Sequence, residues 1–156
     1  MEQIRAPGPW LTLAHMVWVD EADLPLLAKR GVGIAHNPSS NLRLRSGVAP
    51  VAAMDEAGIT IGVGLDGHGL DEDQDYLREL RLAWTLANQP GVGASAPRIP
   101  AQTIWRMGTS NGAAITLGPE TPLGKLAVGY LADLVLVDWP AVQGPWESPA
   151  SFVPDL

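Results

Sequence analysis

Three short apolar runs in this sequence each end in a residue able to move a proton or hold a cation: Leu11-Thr-Leu-Ala-His15, Val32-Gly-Ile-Ala-His36 and Ile59-Thr-Ile-Gly-Val-Gly-Leu-Asp66. An imidazole changes charge close to neutral pH, and a carboxylate accepts protons and binds several divalent cations. Finding His, His and Asp at three successive run ends points to one shared site, although spacing alone does not choose a reaction. Each residue also has a plainer structural reading. Asp66 can cap the turn after it, flanked by Gly64 and Gly67, which let a backbone or a ligand approach closely. His15 can equally be a hydrogen-bonded core residue. His68, two residues past Asp66, reads as a loop residue facing solvent or making a local hydrogen bond. Trp18 follows His15 by three and is the best pocket-wall candidate of the six tryptophans; the others read as packing residues.

The elements that must carry these residues follow from hydrophobic period and punctuation. The runs ending at His15, His36 and Asp66 are short and apolar, as strands of a buried parallel sheet are. Alternation along the first puts Leu11, Leu13 and His15 on one face. Between the runs, Asp20 to Arg30 reads as a helix with Pro25 near its start and Gly31 as its stop, and Ala49 to Ala57 as a helix closed by Gly58. The stretch Asn37-Pro-Ser-Ser-Asn41 reads as a polar loop. Asp71-Glu-Asp-Gln-Asp75 reads as an acidic first turn that complements a helix dipole, without the spacing of a calcium loop. It leads into the clearest helix, Asp75 to Asn88, with Leu77, Leu80, Arg81 and Trp84 along one side and Arg78 and Glu79 facing solvent. A Pro/Gly-rich connection, Gln89 to Pro100, precedes a helix over Ala101 to Ala114. Ala132-Asp-Leu-Val-Leu-Val-Asp138 reads as a further strand. Trp139 to Leu156, with four of the chain's 14 prolines, reads as irregular.

The order β-α-β-α-β-α-α-β specifies an α/β fold of parallel strands joined by right-handed crossovers. Three such units cannot close an eight-stranded barrel, which takes about 250 residues. A small open sheet or part of a larger barrel therefore remains. At 156 residues and 46% apolar, the chain can bury a real core. Its formal net charge of -7 and lack of a basic cluster argue against nucleic acid and against anionic membranes as partners. Cysteine is absent, which excludes thiolate metal ligands. No run approaches the roughly 18–20 apolar residues of a membrane span, and the first residues lack the apolar stretch of a signal peptide. The expectation is a cytoplasmic protein.

Taken together, Leu13-Ala-His-Met-Val-Trp18, Ala35-His-Asn-Pro-Ser-Ser-Asn-Leu42 and Gly62-Val-Gly-Leu-Asp-Gly67 resemble the metal-dependent amidohydrolase superfamily. The branch they resemble holds the cytosine, guanine and S-adenosylhomocysteine deaminases and the triazine chlorohydrolases. Leu123-Gly-Lys-Leu-Ala-Val-Gly-Tyr-Leu-Ala-Asp-Leu-Val135 is similar to that family's return from barrel to β-sandwich. The resemblance implies strands six to eight of a (β/α)8 barrel over residues 1–118 and a partial return segment over 119–156. It implies Asp66 as a metal ligand that also takes a proton from the attacking water, and His15 as the histidine that orients that water or the substrate. His36 and Asn37 match positions on the substrate side, with Trp18 beside them. The implied cofactor is a divalent metal, zinc or alternatively iron, and the implied substrate a small cyclic molecule that loses ammonia or another leaving group.

The sequence departs from the family pattern as well. The strand-one His-x-His pair, the strand-five histidine and the glutamate three residues after that histidine have no counterpart here, because His15 is the first of only three histidines. Leu65 stands where the family has threonine before the aspartate. A catalytic zinc takes about three protein ligands, and one clear ligand is present. Three expectations follow: part of a deaminase-like hydrolase that is inactive alone, a catalytically inactive fragment that pairs with a separate N-terminal half or binds a partner, another copy included, through its exposed sheet edge, or a small metal-independent binding module.

Overall fold

A computed structural model describes residues 7–67, 74–90 and 98–142. His68, the acidic residues 71–73, most of the connection after Gln89 and the stretch from 143 onward lie outside the described residues. Three parallel strands form the sheet in the order β1 (Thr12–Ala14), β2 (Gly33–His36) and β3 (Thr60–Val63). A 3-10 turn at Glu21–Asp23 and α1 (Leu24–Lys29) lead from β1 to β2, and α2 (Pro38–Arg43) and α3 (Val51–Glu56) lead from β2 to β3. After β3 come α4 (Tyr76–Ala87), α5 (Ala101–Gly108), α6 (Ser110–Leu117) and the short α7 (Trp139–Val142). The alternating βα order predicted from the sequence is therefore present, with parallel neighbours throughout. Pro25 sits in the first turn of α1, where its missing N–H leaves no broken bond, and Gly31 stops the helix at a φ of 68° that other residues adopt only under strain.

Register divides the sheet into two unlike faces. Leu13, Ile34 and Ile61 are aligned across the strands and lie on one face. Ile34 and Ile61 are completely buried there in one cluster with Leu24, Val51, Met54, Leu80, Ile104 and Met107. On the other face small residues align, and α6 lies across them. A Cβ on Gly33 would stand 2.8 Å from Ile115 Cγ2, and one on Gly62 would stand 2.6 Å from Ile115 Cδ1 and 3.1 Å from the Gly112 backbone. The two glycines thus open the slot into which Ile115 fits, and Thr12 Oγ1 locks it by donating to the Ile115 carbonyl at 2.7 Å. At the other end of the helical layer, Tyr76 Oη points to the carbonyls of Val63 (2.9 Å) and Gly108 (3.1 Å), joining α4 to β3 and to α5.

Five expectations need correction. The predicted loop at Asn37–Asn41 is mostly helical, because Pro38 pre-sets the first turn of α2 and Ser39, Ser40 and Asn41 find tertiary polar partners in Glu79, Asp66 and His15. The single helix over Ala101–Ala114 breaks at Thr109 (φ -126°, ψ -96°), and the break turns α6 onto the sheet. Strands one and three stop before His15 and Asp66, since both residues take a positive φ of 66°. Ala132–Asp138 is no strand: it is exposed and meets no partner strand among the described residues. Trp139–Val142, expected to be irregular, forms α7. Trp10 is exposed rather than packed, and Trp18, the pocket-wall candidate, is exposed as well, whereas Trp84 and Trp105 lie against the core.

Candidate active site

The parallel register brings the carboxyl ends of all three strands to one edge of the sheet, where ligands collect in α/β folds. Beyond β1 the chain kinks sharply. His15 and Met16 have φ of 66° and 47°, and the Met16 N–H closes a tight turn onto the Ala14 carbonyl at 2.8 Å. Beyond β3 the Gly64 N–H adds one more bond, to the His36 carbonyl at 2.9 Å, before Asp66 turns into its own left-handed conformation. Such conformations cost a non-glycine residue on the order of 1 kcal/mol or more, and they persist only where surrounding contacts hold them.

These kinks place the two side chains together. His15 Nε2 lies 3.8 Å from Asp66 Oδ2, and both side chains keep access to solvent, at 39% and 29% of full exposure. That separation is too long for a direct hydrogen bond. The gap suits a third group held between an imidazole nitrogen and a carboxylate oxygen.

What holds the pair is α2. Ser40 Oγ donates to Asp66 Oδ2 at 2.6 Å, and the Gly67 N–H donates to Asp66 Oδ1 at 2.9 Å. Asn41 Oδ1 lies 2.8 Å from His15 Nδ1. One residue earlier, the Ser39 N–H and hydroxyl both donate to Glu79 Oε1 at 3.0 Å. Glu79 is only 3% exposed, which corrects the expectation that it faces solvent. Before them, Asn37 Oδ1 sits so close to Gly64 that a Cβ there would approach it to 2.6 Å.

The other predicted site residues are placed differently. His36 ends β2 on the face of Ile34; it is almost wholly buried, and neither ring nitrogen has a hydrogen-bond partner among the described residues. Burial pushes its pKa down to about 4, with the nearby His15 adding in the same direction, so the ring is neutral. Asn37 is buried at the head of α2. Trp18 is 88% exposed and makes no contact with the His15–Asp66 pair that the structure records, though its ring edge comes near Gly47. Sequence reasoning missed Ser40, Asn41 and Glu79. A run of small polar residues behind a proline looks like a loop until its partners Glu79, Asp66 and His15 are known. The signal available was the proline itself, in the position that starts a helix.

The sequence profile of the amidohydrolase family matches residues 1–154. The chain belongs to the amidohydrolase family. Among amidohydrolase relatives it is 40% identical over 139 residues to a 5-methylthioadenosine/S-adenosylhomocysteine deaminase of Syntrophobacter fumaroxidans, a match covering 89% of this chain and 31% of the relative. It is 41% identical over 138 residues to a 5'-deoxyadenosine deaminase of Methanosarcina barkeri, covering 88% and 31%. A crystal structure of an adenosine deaminase from Xanthomonas campestris with bound zinc superposes with a TM-score of 0.81 at 36% identity, over 94% of this chain and 33% of that one. An atrazine chlorohydrolase from Arthrobacter aurescens complexed with zinc gives a TM-score of 0.66 at 33% identity, over 75% and 25%. The chain thus spans about a third of the length of the curated amidohydrolases it matches. No helix among the described residues is long and apolar enough to cross a membrane.

Proposed function

We propose that this chain supplies strands six to eight of an amidohydrolase barrel, with residues 1–118 as barrel and 119–156 as the return toward a β-sandwich. In this reading the protein is a cytoplasmic hydrolase that removes an amino group from a small cyclic substrate, the adenine ring of a nucleoside being the first to test. The observation that carries the reading is the convergence of Asp66 and His15 across the sheet, Oδ2 to Nε2 at 3.8 Å with both groups accessible. Relatives named as deaminases of adenine nucleosides support the substrate class.

Asp66 fits a divalent cation as one carboxylate ligand, because its two oxygens are oriented by Ser40 and Gly67 while the side chain keeps solvent access. Among the described residues no group of three or more His, Asp or Glu gathers to hold a metal. The remaining ligands are assigned to residues outside this chain, which has no His-x-His pair and no histidine before His15. Zinc-bound relatives favour zinc, and iron is the alternative. When bound, such a cation lowers the pKa of a coordinated water toward neutrality. Asp66 would accept a proton from the attacking water, and His15 Nε2 would orient that water toward the ring carbon. Water oxygen bonds to that carbon, the carbon–nitrogen bond breaks, and the proton leaves with the amine as ammonia. His36 and Asn37, both buried, are assigned to the layer behind the substrate side at the end of β2, and the exposed Trp18 to its wall.

The outer edges of β1 and β3 each lack a strand partner among the described residues. That observation favours further barrel strands against both edges, from an N-terminal half or another copy, and assigns no role to nucleic acid or membrane. The test is ammonia release from 5'-deoxyadenosine by the metal-loaded intact protein. His15→Ala is expected to lower kcat by about 10²–10⁴, and Asp66→Asn to lose both activity and bound metal. Undiminished turnover by Asp66→Asn would overturn the assignment. Metal-independent ligand binding without turnover would instead point to a binding module.

A further inference from the structure

We infer that α2 is a positioning element for the reacting pair, and that Asn41 in particular selects the tautomer of His15. This inference rests on the assignment of His15 and Asp66 to the site. Consecutive helical residues point about 100° apart, so one turn of α2 reaches three different elements. Ser39 is pinned to Glu79 of α4, Ser40 reaches Asp66 beyond β3, and Asn41 reaches His15 beyond β1. Ser40 and Asn41 are themselves buried, at 0% and 2% exposure, so neither exchanges its partner for bulk water.

The donor and acceptor chemistry then fixes the ring. With the Asn41 amide placed so that Oδ1 faces the ring at 2.8 Å and the buried Nδ2 has no partner among the described residues, the neutral His15 carries its proton on Nδ1, because an amide oxygen only accepts. Nε2 is left as a lone pair facing Asp66 Oδ2 across 3.8 Å. An acceptor nitrogen and a carboxylate oxygen on opposite sides of one gap can both receive from a water lying between them. The other tautomer would turn an N–H toward Asp66, bond to the carboxylate and close that gap. Ser40 acts on the opposite member of the pair: its short bond to Oδ2, with the Gly67 N–H on Oδ1, fixes the plane of the carboxylate. The ladder ends at His15, whose N–H makes a last bond to the Ala35 carbonyl at 2.8 Å, and the left-handed backbone at His15 and Asp66 turns both side chains away from it; their side-chain support comes from α2.

The experiment is long-range proton–nitrogen NMR of the histidine rings in the intact, metal-free protein, at a pH where His15 is neutral. The expected result is a protonated Nδ1 and an unprotonated Nε2 at His15. Asn41→Leu, which keeps the branched four-atom skeleton and removes the acceptor, is expected to shift the ring to a mixture or to the Nε2-protonated form. Asn41→Asp, which keeps an acceptor, is expected to restore Nδ1 protonation. In turnover, Asn41→Leu is expected to lower kcat by about 10–100-fold with KM changed less than about twofold. A wild-type ring protonated on Nε2, or an unchanged tautomer in Asn41→Leu, would overturn the inference. Should Asn41→Leu fail to fold, the wild-type tautomer still decides. The tautomer is read without substrate, so it stands apart from the proposed reaction: an Nε2-protonated ring in an active deaminase defeats only the role of Asn41, and an Nδ1-protonated ring in an inactive protein defeats only the reaction.

Discussion

Two runs of this chain share an apolar, aspartate-ended pattern and have opposite fates. Ile59–Asp66 and Ala132–Asp138 are both apolar, β-branched and ended by an aspartate. The first forms β3, with Ile61 fully buried against α4 and α5 on one face and Gly62 under α6 on the other. The second forms no strand, and Val135 and Leu136 are 87% and 98% exposed. The difference lies in what surrounds each run. β3 has a parallel neighbour for its backbone and a helix for each face, whereas 132–138 has neither among the described residues. Strand propensity is a statement about fitting a half-buried pleated surface, and without that surface it produces nothing.

The comparison can be broken most directly in the core. Ile61→Ala removes a fully buried side chain between sheet and helices and is expected to cost about 2–5 kcal/mol in urea unfolding. A loss below about 1 kcal/mol would mean that β3 is not the packed centre described here.

A pH series tests the same region through His36. Its folded pKa of about 4 lies below the ordinary 6.5, so between those values the unfolded chain binds the extra proton. The stability this neutral burial contributes is complete above pH 6.5 and is lost as pH falls toward 4, by about 3 kcal/mol at most. Subtracting the unfolding profile of His36→Leu should isolate that slope. Parallel profiles for the two proteins across this window would contradict a buried neutral ring.

The smallest expected effect belongs to the exposed run. Leu136→Ala in the 156-residue chain is expected to change stability by less than about 0.5 kcal/mol. A cost near 2 kcal/mol in the intact protein, with none in this chain, would show that the proposed β-sandwich covers this segment there.

The sequence made the sheet and its edge legible because the physics there is local and periodic. Alternation placed the strands, Gly31 and Gly58 stopped the helices, and the run ends carried His15, His36 and Asp66 to one side. Asn37–Asn41 was misread because its helix exists through tertiary partners. Ser39 needs Glu79 from 40 residues away, and Ser40 needs Asp66 from 26 away. Glu79 itself looks like a solvent-facing charge on an amphipathic helix until the two donors from Ser39 are in view. Ala132–Asp138 failed for the converse reason, since local pattern was present and the tertiary partner was not.

The proposal that Asp66 holds a metal is open to a direct test. Anomalous diffraction at the zinc edge, from crystals of the intact zinc-loaded protein, tests that directly. The account predicts a single strong peak about 2.0–2.2 Å from an Asp66 carboxylate oxygen, with the Ser40 and Asn41 bonds retained. A peak elsewhere, with Asp66 outside ligand distance, would contradict it.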